Sequence, residues 1–150
     1  MKTTSLIVVG AFSIAGAGAA VAATATAPVL LTPSAMHWIA GTGPAKRTSG
    51  VTFVGDPNKS GTAIVRVKMP DGYVNQPHYH SHPEYITVMA GTLLFGVGDV
   101  VNKSKGTTLP TGSFIMVPAG VHHWSIAMGE TVEQIGGEGP LNNIPVKKSM

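Results

Sequence analysis

The run Gly72-Tyr73-Val74-Asn75-Gln76-Pro77-His78-Tyr79-His80-Ser81-His82-Pro83-Glu84-Tyr85-Ile86-Thr87-Val88-Met89-Ala90-Gly91 decides how this chain is read. Its spacing is Gly72, five residues, His78, one, His80, three, Glu84, six, Gly91. His78 and His80 have the same parity, so an extended strand points both imidazoles to one face. Ser81-His82-Pro83 reads as a turn, after which Glu84 opens the next strand. Two neighbouring strands thereby present two imidazoles and one carboxylate to a single interior point.

Further along, the spacing is Gly112, five residues, Pro118, one, Gly120, two, His123. From this distant segment His123 would bring a third imidazole. Three neutral nitrogens and one carboxylate suit Mn, Fe, Co, Ni, Cu or Zn, whereas Ca and Mg want more oxygen. His82 and His122 are surplus to four ligands and are expected beside the site or on the surface. Gly91, Gly112 and Gly120 read as turn positions, and no phosphate-binding loop, nucleophile elbow or dinucleotide fingerprint occurs in the chain.

Outward from these motifs the chain reads as short strands with Gly and Pro punctuation. Val51 to Val54 is a strand stopped by Gly55-Asp56-Pro57-Asn58. Thr62 to Met69 alternates, with Ala63, Val65, Val67 and Met69 on one face and Arg66 and Lys68 on the other, solvent-facing side. Glu84 to Ala90 and Thr92 to Val97 flank Gly91 like the arms of a hairpin, and Ser113 to Val117, Trp124 to Met128 and Thr131 to Ile135 add further strands. No helical period appears after the N-terminal segment. The expectation is all-β: a single closed barrel, jelly-roll-like, over about residues 51–140. Residues 23–50 form an extended arm whose Trp38 packs on the barrel exterior, and residues 141–150 a C-terminal tail.

At the N-terminus, Lys2 is followed by an uncharged run from Ser5 to Ala23 that ends in Ala20-Val21-Ala22. A basic start, an apolar centre and a small-residue exit describe a signal peptide over residues 1–22, cleaved near Ala22. The mature chain is then expected to be periplasmic or secreted, with no stable membrane insertion. The 150 residues contain no Cys, which excludes disulfides, thiol catalysis and a lipid-anchored cysteine. Charged residues are 11% and the net charge is +3, with paired bases at Lys46-Arg47 and Lys147-Lys148 alone. That is a mildly basic surface, so nucleic acid is not expected as a partner.

Both motif spacings match those of the cupins, small metal-binding β-barrels, at Gly72, His78, His80, Glu84, Gly91, Gly112, Pro118, Gly120 and His123. At this chain's own residue frequencies, a chance match in one fixed alignment is on the order of 10⁻¹¹. The chain thus resembles small, exported, single-domain cupins. By that resemblance His78, His80, Glu84 and His123 are the ligands of one divalent transition-metal ion: Fe, Mn, Ni, Zn, Co or Cu. One departure is Ala127, where the second cupin motif usually has Asn. Pocket residues beyond the ligands are sought among Tyr79, His82, Tyr85, His122 and Gln134. The resemblance also implies a small-molecule substrate or ligand and is compatible with a homodimer formed through edge strands or the arm. It leaves several reactions open. With few acids in the chain, dioxygenase-like oxidation of a small chelating molecule asks least of the protein. The alternatives are non-catalytic, metal-dependent binding or sensing, and cupin isomerase, lyase or decarboxylase chemistry.

Overall fold

The computed structural model describes residues 28–147, so the expected signal peptide lies outside the described residues. Strands follow in the order β1 (Ile39–Ala40), β2 (Ser49–Val54), β3 (Gly61–Met69), β4 (Val74–Tyr79), β5 (Glu84–Ala90) and β6 (Thr92–Val97). The rest are β7 (Thr107–Pro110), β8 (Phe114–Val117), β9 (His123–Ala127), β10 (Thr131–Gly139) and β11 (Ile144–Pro145). They form two antiparallel sheets, β1-β2-β3-β10-β5-β8 and β11-β4-β9-β6-β7. The described residues contain no α-helix, only three single-turn 3-10 segments. The expected all-β barrel is therefore the fold observed.

Period-two patterning explains the walls. On β3, Ala63, Val65, Val67 and Met69 are buried inside while Ile64, Arg66 and Lys68 are half-buried on the outer side. The interior packs Val65, Val67 and Met69 against Val88, Leu93 and Ala127 from neighbouring and facing strands. A second cluster, Leu94, Trp124 and Ile126, lies on the opposite face of β6 and β9 and is covered by Val74 and Val101. There Trp124 faces Gly96 across the strand pair, and a Cβ on Gly96 would run into the indole ring.

One expectation about connectivity needs correction. The strands flanking Gly91 are not a hairpin: β5 pairs with β10 and β8, whereas β6 pairs with β9 and β7. A hairpin normally needs a loop of about two residues. The single Gly91, at φ 78°, instead turns the chain from one sheet into the other. Any side chain there would strike the Glu130 carbonyl oxygen and the Thr131 backbone. The flanking segments, in turn, reach into the sheets. The arm supplies β1, paired to β2, and the tail supplies β11, paired to β4 at His78 and Tyr79.

The arm also covers the outer face of β2 and β3. Lys68 Nζ sits 4.7 Å above the Trp38 ring, and Arg66 lies 4.9 Å over Phe53 while Nη1 reaches Met36 Sδ at 3.7 Å. Arg66 and Lys68 thus occupy the expected outer face, but half-buried beneath the arm rather than free in solvent.

Candidate metal centre

His78 lies near the end of β4 directly opposite His123, the first residue of β9. Glu84 begins β5 in the other sheet, so the centre bridges both walls of the barrel. His80 falls just beyond the last residue of β4, where the chain turns toward Pro83. Its backbone is held there by a bond from the Gly120 N–H to the His80 carbonyl, 2.9 Å. Convergence of His78 and His80 therefore needs this strand-end turn as well as parity. All four residues are buried, at 4, 6, 7 and 2% exposure for His78, His80, Glu84 and His123.

The three imidazoles each offer one ring nitrogen within 4.8 Å of the others. Their remaining nitrogens are already engaged with backbone oxygens. His78 Nδ1 lies 2.6 Å from the Gln76 carbonyl, His80 Nδ1 2.9 Å from Asn142, and His123 Nδ1 3.0 Å from Val121. A carbonyl can only accept, so each Nδ1 carries the hydrogen and each Nε2 of a neutral ring keeps its lone pair. Glu84 Oε2 lies 3.3 Å from His80 Nε2 and 3.4 Å from His123 Nε2. Two neutral rings and a carboxylate facing one another in this way are all acceptors, which is unfavourable unless a cation lies between them. His80 Nε2 and Glu84 Oε2 are accordingly buried without a hydrogen-bond partner. The donor set, its fixed tautomers and these orphaned atoms fit a transition-metal ion.

The electrostatics follow from the same packing. Burial and the neighbouring His123 hold His78 down to about 4, so its ring stays neutral and available as a ligand. Burial disfavours charge on His80 too, but the Glu84 carboxylate 3.3 Å away outweighs it and raises His80 overall in the absence of a cation. For Glu84, burial alone would raise the carboxyl. The close approach of the His123 and His80 rings prevails and brings it down to about 2.

The additional pocket candidates do not join this group. Tyr79 and His122 meet in a tilted ring contact with centroids 5.0 Å apart, and His122 Nδ1 pairs with Asp99 Oδ1 at 2.6 Å. Strand parity explains this, since His122 and His123 are consecutive and point to opposite sides. His82 contacts the Ser81 hydroxyl in the turn, and Tyr85 is exposed on the outer face opposite Met116. Gln134 is likewise on the outer face, accepting from Arg66 Nη2 at 2.6 Å.

Strand parity instead turns Glu133 inward, a residue the sequence reading passed over. It is 4% exposed and pairs across its strands with Val67 on β3 and Val88 on β5. Burial, reinforced by the charge of Glu84, pushes its carboxyl up to about 8. The pattern was ambiguous because Val132 and Ile135 have opposite parity, so neither face of 131–135 is consistently apolar. Glu84 and Glu133 line one cavity of about 50 Å³ together with Tyr73, Asn75, Ile135 and Asn143. Tyr73 is held above its usual range by burial and by the charge of Glu133, and its hydroxyl donates to the Pro44 carbonyl at 3.0 Å. Phe95 stacks on His123 at 5.5 Å and walls the imidazole from the side. Among the described residues, no helix is long and apolar enough to cross a membrane.

Comparison with known proteins agrees with this architecture. The Cupin family model matches residues 43–143. A curated relative, germin-like protein subfamily 3 member 2 of Arabidopsis thaliana, is 28% identical over 81 residues, covering 53% of this chain and 36% of that protein. The chain thus spans about a third of the length of that relative. Among solved structures, KdgF from Halomonas sp. is similar at TM-score 0.58 and 17% identity, over 75% of this chain and 96% of that one. An oxalate oxidase structure is similar at TM-score 0.52 and 21% identity, over 67% of this chain and 55% of that one. At these identities the structural likenesses establish the fold. With the family model matching about two thirds of its length, and both histidine motifs inside the matched region, the chain belongs to the cupin family.

Proposed function

We propose that this protein is an exported, metal-dependent cupin that acts on a small chelating molecule inside the barrel, by dioxygenase-like oxidation. The observation that carries it is the set of three buried imidazoles with Nδ1 tied to carbonyls and ring nitrogens converging within 4.8 Å, two of them, on His80 and His123, turned toward Glu84. His78, His80, Glu84 and His123 would hold one divalent transition-metal ion. Such an ion supplies Lewis-acid activation of a chelated carboxylate or enolate and, when redox-active, electron transfer to O₂. The chain contributes the rest. Backbone carbonyls fix the tautomer of each ligand ring, which keeps the lone pairs aimed at one point. Val65, Val67 and Ile135 line the cavity with apolar surface that limits water near the reacting molecule. The 50 Å³ cavity favours a compact substrate.

Glu133 favours a second reading, an isomerase, lyase or decarboxylase. These reactions need a proton donor or acceptor besides the ligands, and a carboxyl raised to about 8 is poised near neutral pH to serve as one. The test is metal analysis of protein recovered from its native compartment, followed by O₂ uptake with diketones, phenols and keto acids, repeated without air. Substrate-dependent O₂ uptake at full metal occupancy supports the oxidation. Product formed equally well without O₂ supports the second reading. Stoichiometric binding with no turnover under either atmosphere would make the protein a binding or sensing module instead.

A further inference from the structure

Glu133 presents a problem that the metal centre does not solve. Its cross-strand neighbours are Val67 and Val88, so both flanking side chains are apolar and neither offers a hydrogen. Three other polar groups lining its cavity donate elsewhere. Thr48 donates to the Ala45 carbonyl at 2.7 Å, Tyr73 donates to Pro44, and Asn143 Nδ2 donates to Asn75 Oδ1 at 3.1 Å. Among the described residues, the Glu133 carboxyl has no hydrogen-bond partner. A buried acid between two valines is costly for the fold, and a leucine of similar size would be the stabilising choice there. It also faces the same cavity as Glu84, which belongs to the centre itself.

We infer that Glu133 anchors the far end of the ligand site, accepting a hydrogen bond from a hydroxyl or ammonium group on a short carboxylic acid whose carboxylate is held at the metal centre. This rests on the metal-dependent function proposed above and adds the substrate class. The sheet register sets the scale. Glu84 pairs with Gly137 on β10, and Glu133 lies four residues along the same strand. At ~3.3 Å per residue the two backbone positions are ~13 Å apart, and both side chains reach into the space between. A short, unbranched chain with a carboxylate at one end and a donor at the other spans what is left. A longer or doubly apolar molecule would leave Glu133 unpaired.

The test uses the full mature chain loaded with Zn²⁺ and calorimetric titration with two matched series. One is γ-hydroxybutyrate, γ-aminobutyrate and their methyl isostere pentanoate; the other is β-hydroxypropionate, β-alanine and butyrate. In at least one series the donor-bearing acids should bind roughly tenfold or more tighter than the isostere, the usual scale for a hydrogen bond to a carboxylate. Glu133→Leu should abolish that preference, so that donor-bearing acids bind no tighter than butyrate and pentanoate. Glu133→Gln should weaken the amines more than the alcohols, because an amide accepts a hydrogen bond but does not neutralise an ammonium. Equal affinity of donor and isostere in the native protein overturns the inference and leaves Glu133 a structural acid satisfied by water. Failure of every acid to bind overturns it as well. Repeating the titrations after chelation separates the two ideas. A Glu133-dependent donor preference that survives metal removal at unchanged affinity would refute metal-dependent binding, and with it the carboxylate's place at the metal, but not the Glu133 contact.

Discussion

Replacing Glu133 by Gln should stabilise the protein at high pH and do little at low pH. The carboxyl rises from an ordinary 4.5 to about 8 in the folded chain, because burial and Glu84 both oppose its ionisation. Between those values the folded protein holds a proton that the unfolded chain has released. Native stability therefore falls as pH rises from about 4.5 to about 8 and is constant above that range. At 1.36 kcal/mol per pKa unit the full penalty is about 5 kcal/mol. Water entering the cavity lowers it, so we expect about 2 to 5 kcal/mol. Gln has nearly the same shape and no charge, so the difference between variant and native protein isolates this one group, other titrations cancelling. Urea unfolding with a chelator present, at about pH 5 and about pH 9, reads the difference directly. The variant should match the native protein within about 1 kcal/mol at the lower pH and exceed it clearly at the higher. A difference that does not change with pH would mean that Glu133 is compensated in the folded state, and the account of its burial would be wrong.

Three further outcomes follow from the packing. His80→Ala should lose most of the bound metal while His82→Ala keeps it, since His80 faces Glu84 at 3.3 Å and His82 contacts the Ser81 hydroxyl in the turn; equal loss in elemental analysis of the two variants would show the ligand set to be wrong. Gly96→Ala should cost about 1 to 3 kcal/mol in denaturant unfolding, because the new methyl overlaps the fully buried Trp124 ring and the adjoining residue is His123. An unchanged midpoint would show that β6 and β9 give way easily. Mature protein from the native host should begin at or near Ala23 by N-terminal sequencing, and an intact Met1 on soluble protein would refute export.

Local spacing was enough to bring His78, His80 and Glu84 together on paper, and His123 joined them through the second motif. His78 and His80 are two residues apart at a strand end, Glu84 follows one turn later, and the Gly and Pro around them mark that turn. Clean alternation on 62–69 likewise identified the inward row of β3, because a side chain's face in a strand depends on parity alone. Partner choice between strands is different, since it is settled by distant segments competing for the same edge. Nothing near Gly91 tells that β5 joins β10 and β8 while β6 joins β9 and β7. The same holds for the tautomers: the Asn142 carbonyl that orients His80 is 62 residues away. Glu133 is the sharpest case. Its own segment lacks a consistent apolar face, and only pairing between the valines of β3 and β5 turns its carboxyl into the barrel. Sequence alone determined which residues to propose as ligands and which wall of β3 is core. Long-range pairing decided how the sheets close, what holds each imidazole, and which acid shares the cavity with the metal centre.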